Sequence, residues 1–224
     1  METQLHTSIL KRVGGVLLAA GLIDIAVMIY CIINRISYSS SFNIFAVLAG
    51  IFLLRGSLRA ASVVRWLAVF MLAAFATLLI VWPFMQPFDL TVTQIRLAPG
   101  TFVVTTAFMV FVFGLLFWLA RELGREPIQA ARTSAGRKQR NMRIPAAVGV
   151  GLVAVMGVFL TFLLGGESAE RAKSMAEQQI GSGYRFYVSS LNIAKNNQGT
   201  FVSGIVTAWN DKEIKNIPVR WEEH

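Results

Sequence analysis

The chain has 224 residues, of which 55% are apolar and 15% are charged, and its formal net charge is +9. Soluble domains carry about 25% charged residues, so this composition excludes an ordinary soluble enzyme. The single cysteine excludes an internal disulfide, and the two histidines at opposite chain ends argue against a histidine-rich metal site.

Long apolar blocks predict transmembrane helices. Four of them reach the roughly 20 residues that are needed to cross a bilayer. The second block is apolar only as far as Leu54, so it spans only if Arg55 extends its side chain to the interface and the helix continues through Leu58. The five predicted spans are Val13–Ile33, Phe42–Leu54, Trp66–Phe84, Phe102–Ala120 and Ile144–Leu164. The first is longer than the core of a signal peptide, which is about 7–15 residues, so we expect it to be retained.

The basic residues predict the orientation of these helices, because cytoplasmic loops are enriched in Lys and Arg. Twelve Lys and Arg residues fall in the N-terminal tail, the second connection and the fourth connection, whereas the intervening loops carry only Arg35 and Arg96. We therefore expect a cytoplasmic N-terminus and, after five crossings, a periplasmic C-terminus in a bacterial inner membrane.

Changes in composition divide the chain into four parts. They predict a four-helix membrane domain over residues 1–120, a basic cytoplasmic linker over 121–143, a fifth transmembrane helix over 144–165 and a small module over 166–224. The segment Gln86–Gly100, which prolines bound, is predicted to be an outer loop.

The C-terminal part changes from helical to strand periodicity. Glu167–Ile180 has apolar residues at helical spacing, with Ser168 as the expected N-cap and Gly181 as the expected stop. Three strands with period-two alternation follow, where a phase slip in the first predicts a β-bulge and Pro218 favours an edge position for the third. The predicted turns are Asn196–Gly199 and Asn210–Glu213. The sequence therefore predicts a polytopic α-helical membrane protein with about five transmembrane helices, followed by a small α+β (α-β-β-β) extracytoplasmic module.

The second strand of this module has apolar residues on both faces. We expect one face to be buried inside the module through Phe201, Ile205 and Trp209. The residues expected on the opposite face are Val202, Val206 and Ala208. Because one helix covers only one face of a sheet, we expect this opposite face to bind another membrane or periplasmic protein, or a second copy of the chain.

Asp24 lies near the middle of the first span, where an ionisable group is costly and usually faces protein or water. It belongs to a seam of residues three and four apart that share one helical face. The members of this seam are Gly14, Leu17, Gly21, Asp24, Met28 and Cys31. Asp24 is either an intramembrane polar site that carries protons or cations, or a hydrogen-bonded carboxyl that holds spans together.

Two groups of basic residues are candidate contacts for anionic lipid headgroups on the cytoplasmic side. Arg55 and Arg59 share a helical face in the second connection. The members of the second group, next to the fifth span, are Arg137, Lys138, Arg140 and Arg143. Because no aromatic residues alternate with these charges, nucleic acid is not expected as a partner.

No motif in the sequence predicts a catalytic, metal or cofactor site, since an HExxH helix, a serine triad and a Cys-His pair are all missing. We therefore expect a non-enzymatic accessory, assembly or scaffolding subunit of a membrane complex whose C-terminal module binds a partner protein. The alternative is a small transporter or channel component that uses Asp24.

Overall fold

The computed structural model describes residues 2–35, 42–138, 140–196 and 199–223. These residues form eight helices followed by three strands. The helices are α1 (Glu2–Ile33), α2 (Phe42–Leu54), α3 (Leu58–Met85), α4 (Phe88–Leu97), α5 (Pro99–Glu122), α6 (Glu126–Ser134), α7 (Arg143–Gly165) and α8 (Glu167–Ile180), and the strands are β1 (Arg185–Asn196), β2 (Gly199–Trp209) and β3 (Ile214–Glu223). The chain divides into two compact units, one formed by Met1–Ala73 with Val112–Gly149 and the other by Ala74–Phe111 with Val150–His224.

Within the described part of the chain, four helices are long and apolar enough to cross a membrane, rather than the five that the sequence predicts. They are α1 from Leu5 onwards, α3, α5 and α7. The second block forms only the 13-residue helix α2. At a rise of about 1.5 Å per residue it covers about 20 Å of a hydrocarbon layer that is about 30 Å thick.

The expected continuation of α2 through Arg55 to Leu58 is wrong because the chain makes a helix-ending turn at this point. Gly56 takes a left-handed conformation with φ of 75°. Its N–H donates to the carbonyl of Leu53 at 2.9 Å, and the N–H of Ser57 donates to the carbonyl of Phe52 at 3.1 Å. This pair of hydrogen bonds is the Schellman motif, which closes a helix and reverses the chain.

Short helices lie in the two segments that the sequence assigns to an outer loop and to a linker. The predicted outer loop Gln86–Gly100 holds α4, which buries Leu90 and Thr93 on one side. The predicted linker over residues 121–143 holds α6, which begins with a proline in its first turn and buries Ile128 and Arg132.

The core of the first unit includes a close contact between α1 and α2. Leu10, Val13 and Leu17 of α1 are almost fully buried in it. A Cβ atom on Gly14 would lie 2.9 Å from the carbonyl oxygen of Gly50 and from the amide nitrogen of Leu54 on α2. Only glycine allows this approach, which follows from the small-residue spacing in both helices.

The C-terminal module of the second unit forms the predicted α-β-β-β arrangement. Its three strands are antiparallel in the order β1-β2-β3, with a register shift between Val188 and Ser190 that is the predicted bulge. Pro218 lies on the edge strand β3, as predicted. Of the predicted turn over 196–199, residues 197 and 198 lie outside the described residues.

Helix α8 has the predicted bounds and ends at Gly181, whose φ is 86°. The expected N-cap Ser168 is wrong, because Gly166 holds that position and Ser168 lies inside the first turn. Three alanines of α8 are fully buried against the sheet, and they are Ala169, Ala172 and Ala176. Their small side chains bring the helix backbone close to the strands.

The structure reverses the two sheet faces that the sequence assigned. Val202, Val206 and Ala208 each have an exposed fraction of 0% and lie in the core beneath α8. On the opposite face, Ile205 is 43% exposed and Phe201 is half-buried, whereas Trp209 is buried as expected. Alternation separates the two sets of side chains but does not show which set the helix covers, and α8 covers the small and β-branched set. The three residues expected to bind a partner are therefore inside the module.

Candidate functional site

A cleft of about 500 Å3 lies between α4 and the beginning of the sheet, within the second unit. Helix α4 contributes Phe88, Asp89 and Arg96 to its lining, and the end of β2 contributes Trp209. Asp211, from the turn that follows β2, lines it as well. Acidic, basic and aromatic side chains thus face the same space.

Two contacts join β1 to the chain around α4 and so position the walls of the cleft. Arg185 of β1 forms an ion pair with Asp89. Both side chains are largely exposed, so the pair contributes at most about 1 kcal/mol. The Tyr187 hydroxyl donates a hydrogen bond of 2.8 Å to the carbonyl oxygen of Met85. Partial burial raises the pKa of Tyr187 above its ordinary value.

Trp209 is the central residue of this site. It is only 4% exposed, and its indole N–H has no hydrogen-bond acceptor among the described residues. Leaving such a donor buried and unpaired costs about 1–3 kcal/mol. An acceptor supplied by a bound molecule would recover part of that cost. Phe88, at the same cleft, is 74% exposed.

Polar residues occupy most of the remaining face on this side of the sheet. Thr207 bonds to Ser189 and donates to the amide oxygen of Asn216 at 3.0 Å. Further along β2, Ser203 and Ile205 line a shallow open depression. This face is more polar than the sequence predicted, so the cleft beside Trp209 is a better candidate site than the open sheet surface.

The second turn of the module carries a small charged cluster. Asn210 accepts hydrogen bonds from the backbone N–H groups of Lys212 and Glu213, both at 2.9 Å, which forms the predicted turn. Glu213 accepts hydrogen bonds from Lys215 and Tyr184, and these lower the pKa of its carboxyl. The hydrogen bond to Glu213, followed by one that Lys215 donates to the Tyr184 hydroxyl, raises the pKa of Lys215.

Asp24 is half-buried on α1. It lies on the same helical face as Leu17, which is 2% exposed, and Gly14, which contacts α2. The predicted seam therefore faces protein at its beginning, and Met28 and Cys31 are half-buried further along it. The transport role and the structural role of Asp24 both stay predictions.

The basic residues singled out from the sequence lie mainly on the surface. Arg55 and Arg59 are exposed, as are Lys138, Arg140 and Arg143, while Arg137 is half-buried. Sequence reasoning missed Arg132, which is only 3% exposed. Its position four residues after the buried Ile128 places it on the inner face of α6, and that spacing was the available signal.

Burial is the main cause that lowers the pKa of Arg132, followed by the charges of Arg140 and Arg137.

Among the described residues, no three His, Cys, Asp or Glu side chains are grouped so that they could hold a metal ion. No family model, curated protein or solved structure matches the chain.

Proposed function

We propose that the chain is a non-enzymatic integral protein of a bacterial inner membrane that serves as an accessory, assembly or scaffolding subunit. In this proposal the cleft between α4 and the C-terminal module binds a segment of a partner protein. The observation that carries it is a cleft lined by Trp209 and by the largely exposed Phe88, in which the buried indole N–H of Trp209 has no acceptor among the described residues.

The chemistry of the cleft favours a polypeptide. A volume of about 500 Å3 has room for a few residues of an extended chain. Backbone carbonyls of such a segment are acceptors for the Trp209 N–H, and its apolar side chains would cover Phe88. Asp89, Arg96 and Asp211 offer charges of both signs at the rim, which suits a partner segment that is itself mixed in charge.

The path of α2 supports a cytoplasmic N-terminus together with a periplasmic module. Gly14 lies beside Leu54, while Leu18 lies beside Gly50, so α2 runs antiparallel to α1. The chain therefore returns, at Arg55, to the part of α1 that contains Lys11 and Arg12. In this proposal α2, although short, brings the chain back to the cytoplasmic side, where a full crossing would also have ended.

Matched variants of the full-length protein test partner binding. The protein is purified in mild detergent and its co-purifying proteins are quantified by mass spectrometry. We expect one stoichiometric partner. Its recovery should fall about tenfold in Phe88→Ala, which removes the exposed ring, and in Trp209→Phe, which keeps an aromatic ring but lacks the N–H. Phe84→Ala is the control, since Phe84 is 86% exposed and does not line the cleft. Equal loss in the control, or no partner, would contradict the proposal.

Cysteine labelling tests the proposed orientation. In a Cys31→Ser background, single cysteines are placed at the exposed positions Ser134 and Lys212. We expect a membrane-impermeant maleimide to label Lys212→Cys in cells whose outer membrane is permeabilised and to label Ser134→Cys only after lysis. The reverse pattern would place the module in the cytoplasm.

A further inference from the structure

Three arginines from separate parts of the first unit form a cluster that the partner-binding proposal does not use. Arg65 lies near the beginning of α3, Arg132 lies on α6, and Arg137 lies in the turn after α6. Arg132 donates a hydrogen bond of 3.2 Å from Nη2 to the carbonyl oxygen of Lys138, which holds this turn against α6.

Gly124 makes room for the Arg65 side chain. A Cβ atom at position 124 would lie 2.9 Å from Nη2 of Arg65, so any other residue would displace the guanidinium. The guanidinium therefore packs against the backbone of the turn between α5 and α6. This packing, together with the burial of Arg132, indicates that the arginines are built into the unit.

Several donors of this cluster are buried and have no acceptor among the residues that the structure describes. They are Nε of Arg65, Nε and Nη1 of Arg132, and Nη1 of Arg137. No ion pair among the described residues includes any of the three arginines. Glu122, the buried acid near the end of α5, pairs with Arg125 at 2.7 Å instead.

This arrangement is unfavourable unless an anion is bound. A guanidinium keeps its charge under all ordinary conditions, so it cannot avoid the cost of burial by losing its proton. Arg65 and Arg132 also repel each other, and Arg137 and Arg140 add to the repulsion at Arg132. An anion would pair the buried N–H groups and neutralise the repulsion at the same time.

We infer that Arg65, Arg132 and Arg137 form a binding site for a phosphate group. Phosphate has several oxygens that can accept bonds from three guanidinium groups, and its tetrahedral shape allows them to approach from different sides. A carboxylate has two oxygens in one plane and would leave part of the donors unpaired. The exposed Arg140 extends the cluster to the protein surface, where the phosphate would enter. The phosphate belongs either to a lipid headgroup or to a soluble phosphate compound.

Thermal unfolding of the full-length protein, delipidated in a neutral detergent, tests this site. One arm compares inorganic phosphate with chloride at equal ionic strength, and the other compares added phosphatidylglycerol with phosphatidylcholine. We expect the Tm of the wild type to rise in at least one arm and the apparent Kd for that ligand to rise about tenfold in Arg132→Gln. Arg65→Gln is the second variant, used alongside it in case the first does not fold. Arg121→Gln, an exposed arginine of the same unit, is the control and should bind like the wild type.

The outcomes separate the two sources. A response to phosphatidylglycerol alone identifies a lipid headgroup, and a response to inorganic phosphate alone identifies a soluble phosphate compound. The proposal is overturned if neither ligand raises the Tm, or if both glutamine variants respond like the wild type. Equal weakening in Arg121→Gln would also overturn it, because binding would then depend on diffuse surface charge.

Discussion

The two faces of the three-stranded sheet are both partly apolar in sequence, yet they have different surroundings. Val206 pairs with Val188 and Ile217 across the strands, and all three lie beneath α8. One residue away, Ile205 points to the opposite face, where it pairs with Ser190 and Pro218. An alternating pattern therefore divides the side chains into two sets, and the position of α8 determines which set forms the core.

Lysine substitutions at these adjacent positions should give the largest difference in stability between the two faces. Val206→Lys would place an ammonium group where the native side chain is 0% exposed, and we expect a loss of about 3–5 kcal/mol because the buried charge has no partner. Ile205→Lys is the matched control and should change the stability by about 0.5 kcal/mol or less. Denaturant unfolding of the purified full-length protein measures both. Similar losses in the two variants would refute the assignment of faces.

The same contrast exists between two helices that carry the same small-residue spacing. Ala46 and Gly50 of α2 lie against α1, where a Cβ atom on Gly50 would be 2.8 Å from the amide nitrogen of Leu18. Ala147 and Gly151 of α7 are exposed, and nothing lies within 4 Å of a Cβ atom on Gly151. Such a spacing permits close contact, while the course of the chain determines whether a neighbouring helix is present.

Gly50→Leu should therefore be harmful and Gly151→Leu should be tolerated. The added side chain at position 50 must push α1 and α2 apart, since its first atom already overlaps backbone, and we expect a loss of about 1–3 kcal/mol. At position 151 the same side chain would extend away from the described protein, because the position is exposed and no described atom lies within 4 Å of its Cβ. The Tm of each variant in detergent is the measurement. A stable Gly50→Leu protein would show that α1 and α2 do not pack at this point.

Much of the fold could be predicted because local signals and burial agree. The helix Glu167–Ile180 was predicted to the residue, since its alanine spacing and the following Gly181 both mark its limits. The predicted extension of α2 fails for a local reason, because Gly56 adopts a left-handed conformation that ends the helix. Arg132 could not be identified from charge alone, since a buried arginine and a solvated one look the same within a basic segment.

On the face of the sheet that α8 does not cover, loss of a single hydroxyl should lower the stability slightly. Tyr187→Phe removes the hydrogen bond to the carbonyl of Met85, and we expect a loss of about 1 kcal/mol. Ser203→Ala, an exposed position on the same face, is the control and should have almost no effect. Denaturant unfolding is again suitable. If Tyr187→Phe also behaves like the control, this contact does not hold β1 against the end of α3.

The smallest expected effect depends on pH and concerns the partly exposed cluster of Tyr184, Glu213 and Lys215. The pKa of Glu213 lies below its ordinary value of 4.5, so its contribution is present above about pH 5 and is lost as the pH falls through the pKa of the folded state. The pKa of Lys215 lies above 10.5, so its contribution is present below about pH 10 and is lost as the pH rises through that higher pKa.

Comparison of the wild type with Glu213→Gln isolates this contribution. The difference in Tm between the two proteins should be constant from about pH 5 to about pH 10 and should shrink beyond either limit, because one partner of the ion pair is then neutral. Both side chains are largely solvated, so the difference should also decrease in high salt. A difference that persists unchanged at about pH 3 would show that Glu213 acts through its shape and hydrogen bonds rather than through its charge.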